Sequence, residues 1–291
     1  MLAGRLRLAF LLTIGVLAVE LMGGLAAHSL SLLADAGHVL IDVTALGLAW
    51  FAAVQAGRPA DARNTFGYHR LGILAGMANA AILVLVMGFI AVEAVQRLGS
   101  PQTVTPWIMG AAAAVGVTVN LLIAGMLRPH SRGNLNARAA TLHVLGDIAA
   151  SAAVVVAALV IALTGRNAVD PALSLAIAVL IGVGAWRILR ETGAILMEGS
   201  PRGLDVGALV TEITAQPGVT GVHDLHVWSL DSSRRALSAH LGVETNDLRA
   251  CDSVLARVNV VLLERFAIAH STFQLECADC TPQPDLYCSV D

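Results

Sequence analysis

Two histidine–aspartate pairs with the same spacing stand inside long apolar stretches of the chain. His38 precedes Asp42 by four residues in one stretch, and His143 precedes Asp147 by four residues in another. Because this spacing is about one helical turn, each pair lies on one face of its helix. Two imidazole nitrogens and two carboxylate oxygens make a four-coordinate donor set that suits Zn²⁺. The pattern therefore predicts a metal site built between two helices.

The same four side chains also bind and release protons. Metal binding needs neutral histidine and ionised aspartate, so metal loading expels protons and protonation expels the metal. An exchanger of metal for protons depends on that competition. The alternative is that each histidine only forms a hydrogen bond with its own aspartate and binds no metal. This alternative is disfavoured because the same pair recurs in a second apolar stretch. Asp35 stands three residues before His38 on roughly the same face, where it could relay protons, support the metal ligands or serve helix packing.

The low proportion of charged residues limits the classes of protein to which the chain can belong. Of 291 residues, 56% are hydrophobic and 13% are charged, and the mean hydropathy is +0.73, whereas a soluble domain carries about 25% charged residues. This excludes a disordered chain, a coiled coil and a nucleic-acid-binding protein, and it disfavours an ordinary soluble enzyme. A bilayer-spanning helix needs about 20 apolar residues. Six segments qualify: 8–27, 30–56, 71–96, 106–127, 139–164 and 168–190.

Arginine placement predicts the orientation of these segments. The segment ends on one side carry Arg5, Arg7, Arg58, Arg63, Arg70, Arg128, Arg132, Arg138, Arg187 and Arg190. The opposite side carries only Arg97 and Arg166. Because cytoplasmic flanks are rich in basic residues, both termini are predicted to lie in the cytoplasm.

Five other polar side chains in or near the segments have no partner that the sequence reveals. Glu93 and Asp170 are near segment ends, so we expect them to be solvated. Asn79 and Asn120 are expected to bond neighbouring helices. Glu20 is left without an assigned role.

The last third of the chain changes character. Residues 200–291 carry a net charge of −6 and all four cysteines, an arrangement that excludes a disulfide-built secreted scaffold. Helices are predicted over 204–216 and 247–266, and strands over 219–230, 236–243 and 270–276. This αββαβ order predicts a small α+β, ferredoxin-like domain. We divide the chain into a six-span domain (1–199), this domain (200–276) and a cysteine-containing tail (277–291).

Histidines on the predicted strands suggest a second metal site in this domain. The candidates are His223, His240, His270, Glu276, Cys277 and Cys280, with His226 and His69 as weaker ones. Strand alternation puts His270 and Glu276 on one face, and the C-x-x-C spacing from Cys277 to Cys280 can hold a metal between two thiolates. Packing of His226 beside Val227 and a loose tail without metal are the competing interpretations.

Several longer motifs carry a family resemblance. They are residues 29–38 (SLSLLADAGH) with Asp42, 65–70 (TFGYHR), 134–140 (NLNARAA) leading to His143 and Asp147, 196–201 (LMEGSP), 223–230 (HDLHVWSL) and 238–240 (SAH). Together they resemble the cation diffusion facilitators, and among these the zinc exporters. The resemblance extends from about residue 8 to residue 276. The sequence departs from the family at Gly72, where a glutamate is usual. It also departs in the 128–138 loop, which is short and has only one histidine.

The resemblance implies a Y-shaped homodimer of six-span subunits with cytoplasmic C-terminal domains. It implies a transport site at His38, Asp42, His143 and Asp147, with the histidine at position 38 favouring zinc. In relatives, residues matching His223, His240 and His270 bind regulatory zinc, and C-terminal cysteine pairs of some relatives join from the neighbouring subunit. The family exports metal in exchange for protons.

We therefore expect a multi-pass protein of the bacterial inner (cell) membrane that exports Zn²⁺ in exchange for H⁺ by alternating access, and not an enzyme. Its expected partners are Zn²⁺, H⁺, membrane lipid and a second copy of the chain, with no organic cofactor and no nucleic acid. Two alternatives stay open: a broader exporter of Cd²⁺, Co²⁺, Ni²⁺ or Fe²⁺ with the same fold, and a membrane metal sensor that transports nothing. A metalloprotease is rejected because the His-Glu-x-x-His motif is missing.

Overall fold

Six long helices occupy the first two-thirds of the chain. The computed structural model describes residues 2–127, 135–231 and 234–277. Each of the six helices contains a stretch long and apolar enough to cross a membrane. The prediction of six spanning helices is confirmed. In chain order they are α1 (Leu2–Ala27), α2 (Leu30–Ala56), α3 (Arg70–Gly99), α4 (Pro106–Leu127), α5 (Leu135–Thr164) and α6 (Val169–Leu196).

Helix α4 packs between α1 and α5. Small residues allow this approach: a Cβ placed on Gly23 of α1 would stand 2.6 Å from the Cβ of Ala112 in α4. Without water to drive association, helices in a membrane depend on such close contact. The arrangement holds α5, which carries one histidine–aspartate pair, against α4.

Asp170 corrects one sequence expectation. This residue of α6 is not solvated but fully buried, and its carboxylate accepts hydrogen bonds from the start of α2. The hydroxyls of Ser29 and Ser31 donate over 2.7 and 2.6 Å, and the backbone amides of Leu30 and Ser31 donate over 2.7 and 3.2 Å. The first amides of a helix have no partner within the helix. Asp170 therefore acts as the N-terminal cap of a neighbouring helix.

Glu93 is partly exposed, and it also forms an ion pair within its own helix. Its Oε1 lies 2.8 Å from Arg97 Nε, one turn along α3. The Arg97 guanidinium in turn donates to the carbonyl of His28 between α1 and α2. The end of the bundle that holds the α1–α2 turn is thus tied by two separate polar contacts.

The chain divides into two compact units. The first comprises Met1–Phe51 and Ala75–Leu189, and the second comprises Ala52–Leu74 and Arg190–Asp291. The second unit therefore takes in the C-terminal end of α2 and the N-terminal end of α3. The boundary that we placed at residues 199 and 200 stays a prediction.

The second unit contains the small α+β domain. Its elements are α7 (Val206–Thr214), β1 (Val219–Ser229), β2 (Arg235–Val243), α8 (Leu248–Phe266) and β3 (Ile268–Cys277). β1 and β2 pair antiparallel, β2 and β3 pair parallel, and the strand order is β1-β2-β3. The parallel pair follows from the α8 crossover. The predicted αββαβ, ferredoxin-like fold is confirmed.

Both helices of this domain bury one apolar face against the sheet. In α8 the buried residues recur every four positions, at Val254, Val258 and Leu262, and they pack with strand residues such as Leu237 and Leu241. The N-terminal caps Asp205 and Asp247 fix where α7 and α8 begin. The strands that carry the histidines are therefore held on a rigid core.

Candidate metal sites

The two histidine–aspartate pairs meet between α2 and α5. His143 Nε2 lies 3.1 Å from Asp42 Oδ2 and 3.9 Å from Asp147 Oδ2. His38 Nε2 lies 3.6 Å from Asp42 Oδ2 and 3.9 Å from Asp147 Oδ1. Each aspartate thus faces both imidazoles. We call these four residues the four-donor cluster.

The spacing within the four-donor cluster suits a tetrahedral ion. Zn²⁺ bonds of about 2.0–2.1 Å put tetrahedral donors about 3.4 Å apart, and the four histidine–aspartate separations run from 3.1 to 3.9 Å. Donor atoms of His38, Asp42 and Asp147 all lie within 4.8 Å of one another. The two imidazole rings meet edge to face with centroids 5.9 Å apart. A small movement of His143 would complete the set.

A cavity of about 600 Å³ reaches the four-donor cluster from one end of the bundle. Asp42, His143 and Asp147 form part of its wall, and the other lining residues are mostly apolar. They come from residues 9–16 of α1, 39–47 of α2, 120–123 of α4 and Val144 of α5, so the cavity extends from the cluster toward the end of the bundle where α1 begins. Asn120 of α4 is a polar exception in that wall.

The opposite side of the four-donor cluster is closed by buried residues. Asp35 lies there at 1% exposure, and its Oδ2 accepts a hydrogen bond of 2.8 Å from the Ser151 hydroxyl of α5. Asp35 is therefore anchored across helices. Neither Ser151 nor this contact was anticipated, although Ser151 stands four residues beyond Asp147 and so shares its helix face.

A second group of donors lies on the sheet of the α+β domain. His223 of β1 and His240 of β2 are direct partners in the antiparallel register. His223 Nε2 lies 3.1 Å from Glu276 Oε2, and His240 Nδ1 lies 2.9 Å from Glu276 Oε1. Within the described chain both ring nitrogens are buried without a well-aligned hydrogen bond. Buried nitrogens without a partner are costly, and a bound cation would satisfy them.

Sequence reasoning missed one member of this group, Asp224. Its Oδ2 lies 3.3 Å from His240 Nε2, and its Oδ1 lies 3.1 Å from His226 Nε2. The register of β1 shifts between His223 and His226, and Asp224 has a left-handed φ of 48°. This irregularity turns Asp224 toward His240. We call His223, Asp224, His240 and Glu276 the strand cluster.

The other candidates lie apart from the strand cluster. His270 is exposed near the start of β3, six residues from Glu276 or roughly 20 Å along a strand, and its ring packs edge-on to Phe66. One chain therefore does not bring His270 to His223 and His240. The His226 side chain is half exposed and pairs with Asp224.

The remaining candidates are His69, Cys277 and Cys280, and within the described residues they form no group of metal ligands. The His69 ring contacts the Arg234 guanidinium, and a cation beside the ring disfavours a metal there. Cys277 ends β3 but its side chain is not among those described, and Cys280 lies outside the described residues.

Two family models cover almost the whole chain. The model described as the cation efflux transmembrane domain matches residues 6–197. The model described as the cation efflux protein, cytoplasmic domain, matches residues 201–278.

The chain belongs to the cation efflux family.

Individual members of the cation efflux family match over nearly their full length. Zinc transporter ZitB of Shigella flexneri is 38% identical over 287 residues, which cover 98% of this chain and 90% of the relative. A cadmium, cobalt and zinc/H⁺-K⁺ antiporter of Bacillus subtilis is 35% identical, covering 93% and 88%. The metal cation efflux system protein CzcD of Cupriavidus metallidurans is 36% identical, covering 94% and 87%.

The two donor groups fall in different parts of this cation efflux protein. All members of the four-donor cluster lie within the match to the transmembrane domain, and all members of the strand cluster lie within the match to the cytoplasmic domain. The two groups therefore require separate functional explanations.

Proposed function

We propose that this protein is a metal cation efflux transporter that exchanges Zn²⁺ for H⁺ across a membrane. One observation carries the proposal: two histidines and two aspartates from α2 and α5 converge inside the helix bundle, with histidine–aspartate distances of 3.1–3.9 Å. Ionisable groups within spanning helices are costly and mark an ion pathway. A metal sensor needs no such site there, since the α+β domain has donors of its own.

Exchange follows from the chemistry of the donors. Zn²⁺ reaches the four-donor cluster through the cavity that Asp42, His143 and Asp147 line, and it displaces the protons that the histidines and aspartates otherwise hold. When the cluster opens to the other side, protons compete for the same lone pairs and release the ion. Affinity must differ between the two orientations, because equal affinity would shift no population.

The names of relatives support the type of transport. ZitB of Shigella flexneri is named a zinc transporter, and the Bacillus subtilis relative is named an antiporter of cadmium, cobalt and zinc. We assign Zn²⁺ as the main substrate because two imidazole nitrogens join two carboxylates in the four-donor cluster. A site of oxygen ligands alone would favour Mg²⁺, Ca²⁺ or Mn²⁺.

The cellular setting of the transporter is part of the same proposal. We place it in a bacterial inner membrane as a homodimer with both termini in the cytoplasm, the orientation that the arginine asymmetry favours. In that orientation the cavity of about 600 Å³ opens toward the cytoplasm. We assign the strand cluster to regulatory zinc that draws two acidic C-terminal domains together by offsetting their like charges.

Zinc flux in proteoliposomes tests the proposed function. Purified protein is reconstituted with a zinc-sensitive dye inside the vesicles, and a pH gradient is applied. We expect zinc entry that depends on the gradient and stops when a protonophore collapses it. Zinc binding without any zinc flux would contradict the proposed transporter and would support the alternative of a membrane metal sensor.

His38→Asp tests the source of metal preference. We expect this substitution to raise cadmium transport relative to zinc, because it replaces a nitrogen donor by a third carboxylate and the selectivity of a site depends on its ligand types. Competitive transport of the two metals in the same vesicles measures the change. An unaltered cadmium-to-zinc ratio would remove His38 as the selecting residue.

The double variant His223→Ala/His240→Ala tests the strand cluster. We expect the full-length protein to bind about one zinc fewer per chain, since both imidazole donors to that site are gone, while zinc-dependent approach of the two C-terminal domains is lost. Metal analysis and distance measurement between spin labels provide the two readouts. His28→Asn is the control, because it removes an imidazole from the other compact unit and asparagine tolerates the left-handed φ of 55° at that position. Wild-type stoichiometry in the double variant would contradict the assignment.

A further inference from the structure

Glu20 of α1 is a buried acid with no assigned role. Its side chain has 0% exposure, and neither carboxylate oxygen has a hydrogen-bond partner within the described chain. It forms no ion pair with any of the described residues. An ionised carboxylate without a partner is strongly unfavourable inside a membrane protein. Burial of this kind favours the protonated form of Glu20.

A glycine in α4 makes room for the Glu20 carboxyl group. If Gly116 had a Cβ, that atom would lie 3.2 Å from Ser151 Oγ and still closer to Glu20 Oε1. The carboxyl group of Glu20 and the hydroxyl of Ser151 therefore share the space beside Gly116. Three helices, α1, α4 and α5, bring these polar atoms together away from water.

The hydrogen bond between Ser151 and an ionised Asp35 limits what Ser151 can offer Glu20. The Ser151 hydroxyl donates to Asp35 Oδ2 at 2.8 Å, and a hydroxyl has only one hydrogen to give. Ser151 can therefore offer Glu20 only a lone pair. A protonated Glu20 can donate to that lone pair, whereas an ionised Glu20 would face one more acceptor. A protonated Glu20 that turns its O–H toward Ser151 would complete a chain from Glu20 through Ser151 to Asp35.

This chain lies directly beside the four-donor cluster. Ser151 is one helical turn beyond Asp147 on α5, and Asp35 is about one turn before His38 on α2. Ser151 and Asp35 therefore lie on the side of the four-donor cluster away from the cavity, toward the end of the bundle with the α1–α2 turn. The charged groups that face Glu20 are Asp35 of α2 and Asp147 of α5, while α4 presents Gly116. Among the described residues, both of these charged neighbours of Glu20 are acidic.

We propose that Glu20, Ser151 and Asp35 form a relay that holds one proton and gives it up when metal binds the four-donor cluster, which makes Glu20 a further proton-carrying residue of the exchange. The proposal rests on the proposed function. A divalent cation one turn away stabilises the ionised carboxylates, so the O–H bond of Glu20 breaks as Ser151 Oγ takes the proton. The proton of Ser151 passes to Asp35 Oδ2, and Asp35 gives it to water when the helices around it move on metal binding. Ser151 thus passes the proton between the two acids.

Glu20→Gln tests the relay in the full-length protein. The amide keeps the shape of the side chain but cannot release a proton. We expect zinc binding to release about one proton fewer per zinc than in the wild type, measured by calorimetry in buffers of different ionisation enthalpy at one pH. In vesicles the variant should also move fewer protons per zinc. Glu93→Gln, on another spanning helix and paired with Arg97, is the control and should match the wild type.

Two further measurements keep the test decisive. Infrared difference spectra on zinc binding should show loss of a protonated carboxyl band in the wild type and in Glu93→Gln but not in Glu20→Gln. Ser151→Ala, which removes the connecting hydroxyl and adds no bulk, should lower proton release in the same way. Proton release and infrared spectra unaltered in Glu20→Gln overturn the relay even if the wild type transports zinc. Absence of zinc flux in the wild type overturns the proposed function, and the binding measurements still decide the relay.

Discussion

Replacing Asp42 by asparagine is expected to abolish most zinc transport. Asp42 Oδ2 is the atom that approaches both histidines, at 3.1 Å from His143 and 3.6 Å from His38. The loss of a residue that only orients a ligand already costs about 10–100-fold in metal affinity or activity. Loss of a direct donor should lower zinc flux by at least that factor.

The asparagine variant separates charge from shape. It keeps the volume and one oxygen of Asp42, so the helix packing should survive, but it removes the negative charge that balances a divalent ion. Initial rates of zinc uptake in vesicles measure the effect. Asp252→Asn, on an exposed part of α8, is the matched control and should transport at the wild-type rate. Wild-type flux in Asp42→Asn would show that the four-donor cluster is not the transport site.

Replacing Asp170 by alanine is expected to cause the largest loss of stability. The variant leaves the backbone amides of Leu30 and Ser31 without their acceptor in a buried position. Each buried donor left unsatisfied costs about 1–3 kcal/mol, so the free energy of unfolding should fall by roughly 2–6 kcal/mol. Denaturation in mixed detergent micelles, followed by circular dichroism, gives the change.

Asp170→Asn is the matched control for this prediction. The asparagine side chain retains one oxygen acceptor, so it should lose less stability than alanine does. The order wild type, asparagine, alanine is therefore expected. An alanine variant as stable as the wild type would mean that water replaces the carboxylate and that the cap contributes little.

Local spacing predicted much of the four-donor cluster but could not reveal its surroundings. A histidine and an aspartate four residues apart must share a helix face, and the repeat on a second helix indicated a common site. The groups that surround the Glu20 carboxyl group come from helices far along the chain, at Ser151 and Gly116, so no sequence interval marks them. Asp170 looked solvated because it is near a helix end, yet a helix end buried against another helix needs an acceptor for its free amides.

The α+β domain shows the same division between local and distant information. Its alternating strands predicted that His223 and His240 belong to one sheet, and the hairpin register makes them neighbours. Asp224 joins them only because β1 departs from regular pairing, which alternation does not predict. His270 was grouped with them because it lies on a predicted strand and shares a face with Glu276 by alternation, and the resemblance gave the same grouping. The parallel register puts it opposite Ala236, far along the strand from Glu276.

The cap that Asp170 provides has a mechanical consequence. It fixes the first turn of α2 to the start of α6, so that end of α2 can serve as a pivot. His38 lies eight residues beyond Leu30, a lever arm of about 12 Å at 1.5 Å per residue. A tilt of about 10° around the pivot would carry His38 by about 2 Å, as far as one metal–ligand bond is long. A modest rocking of one helix would be enough to dismantle the four-donor cluster.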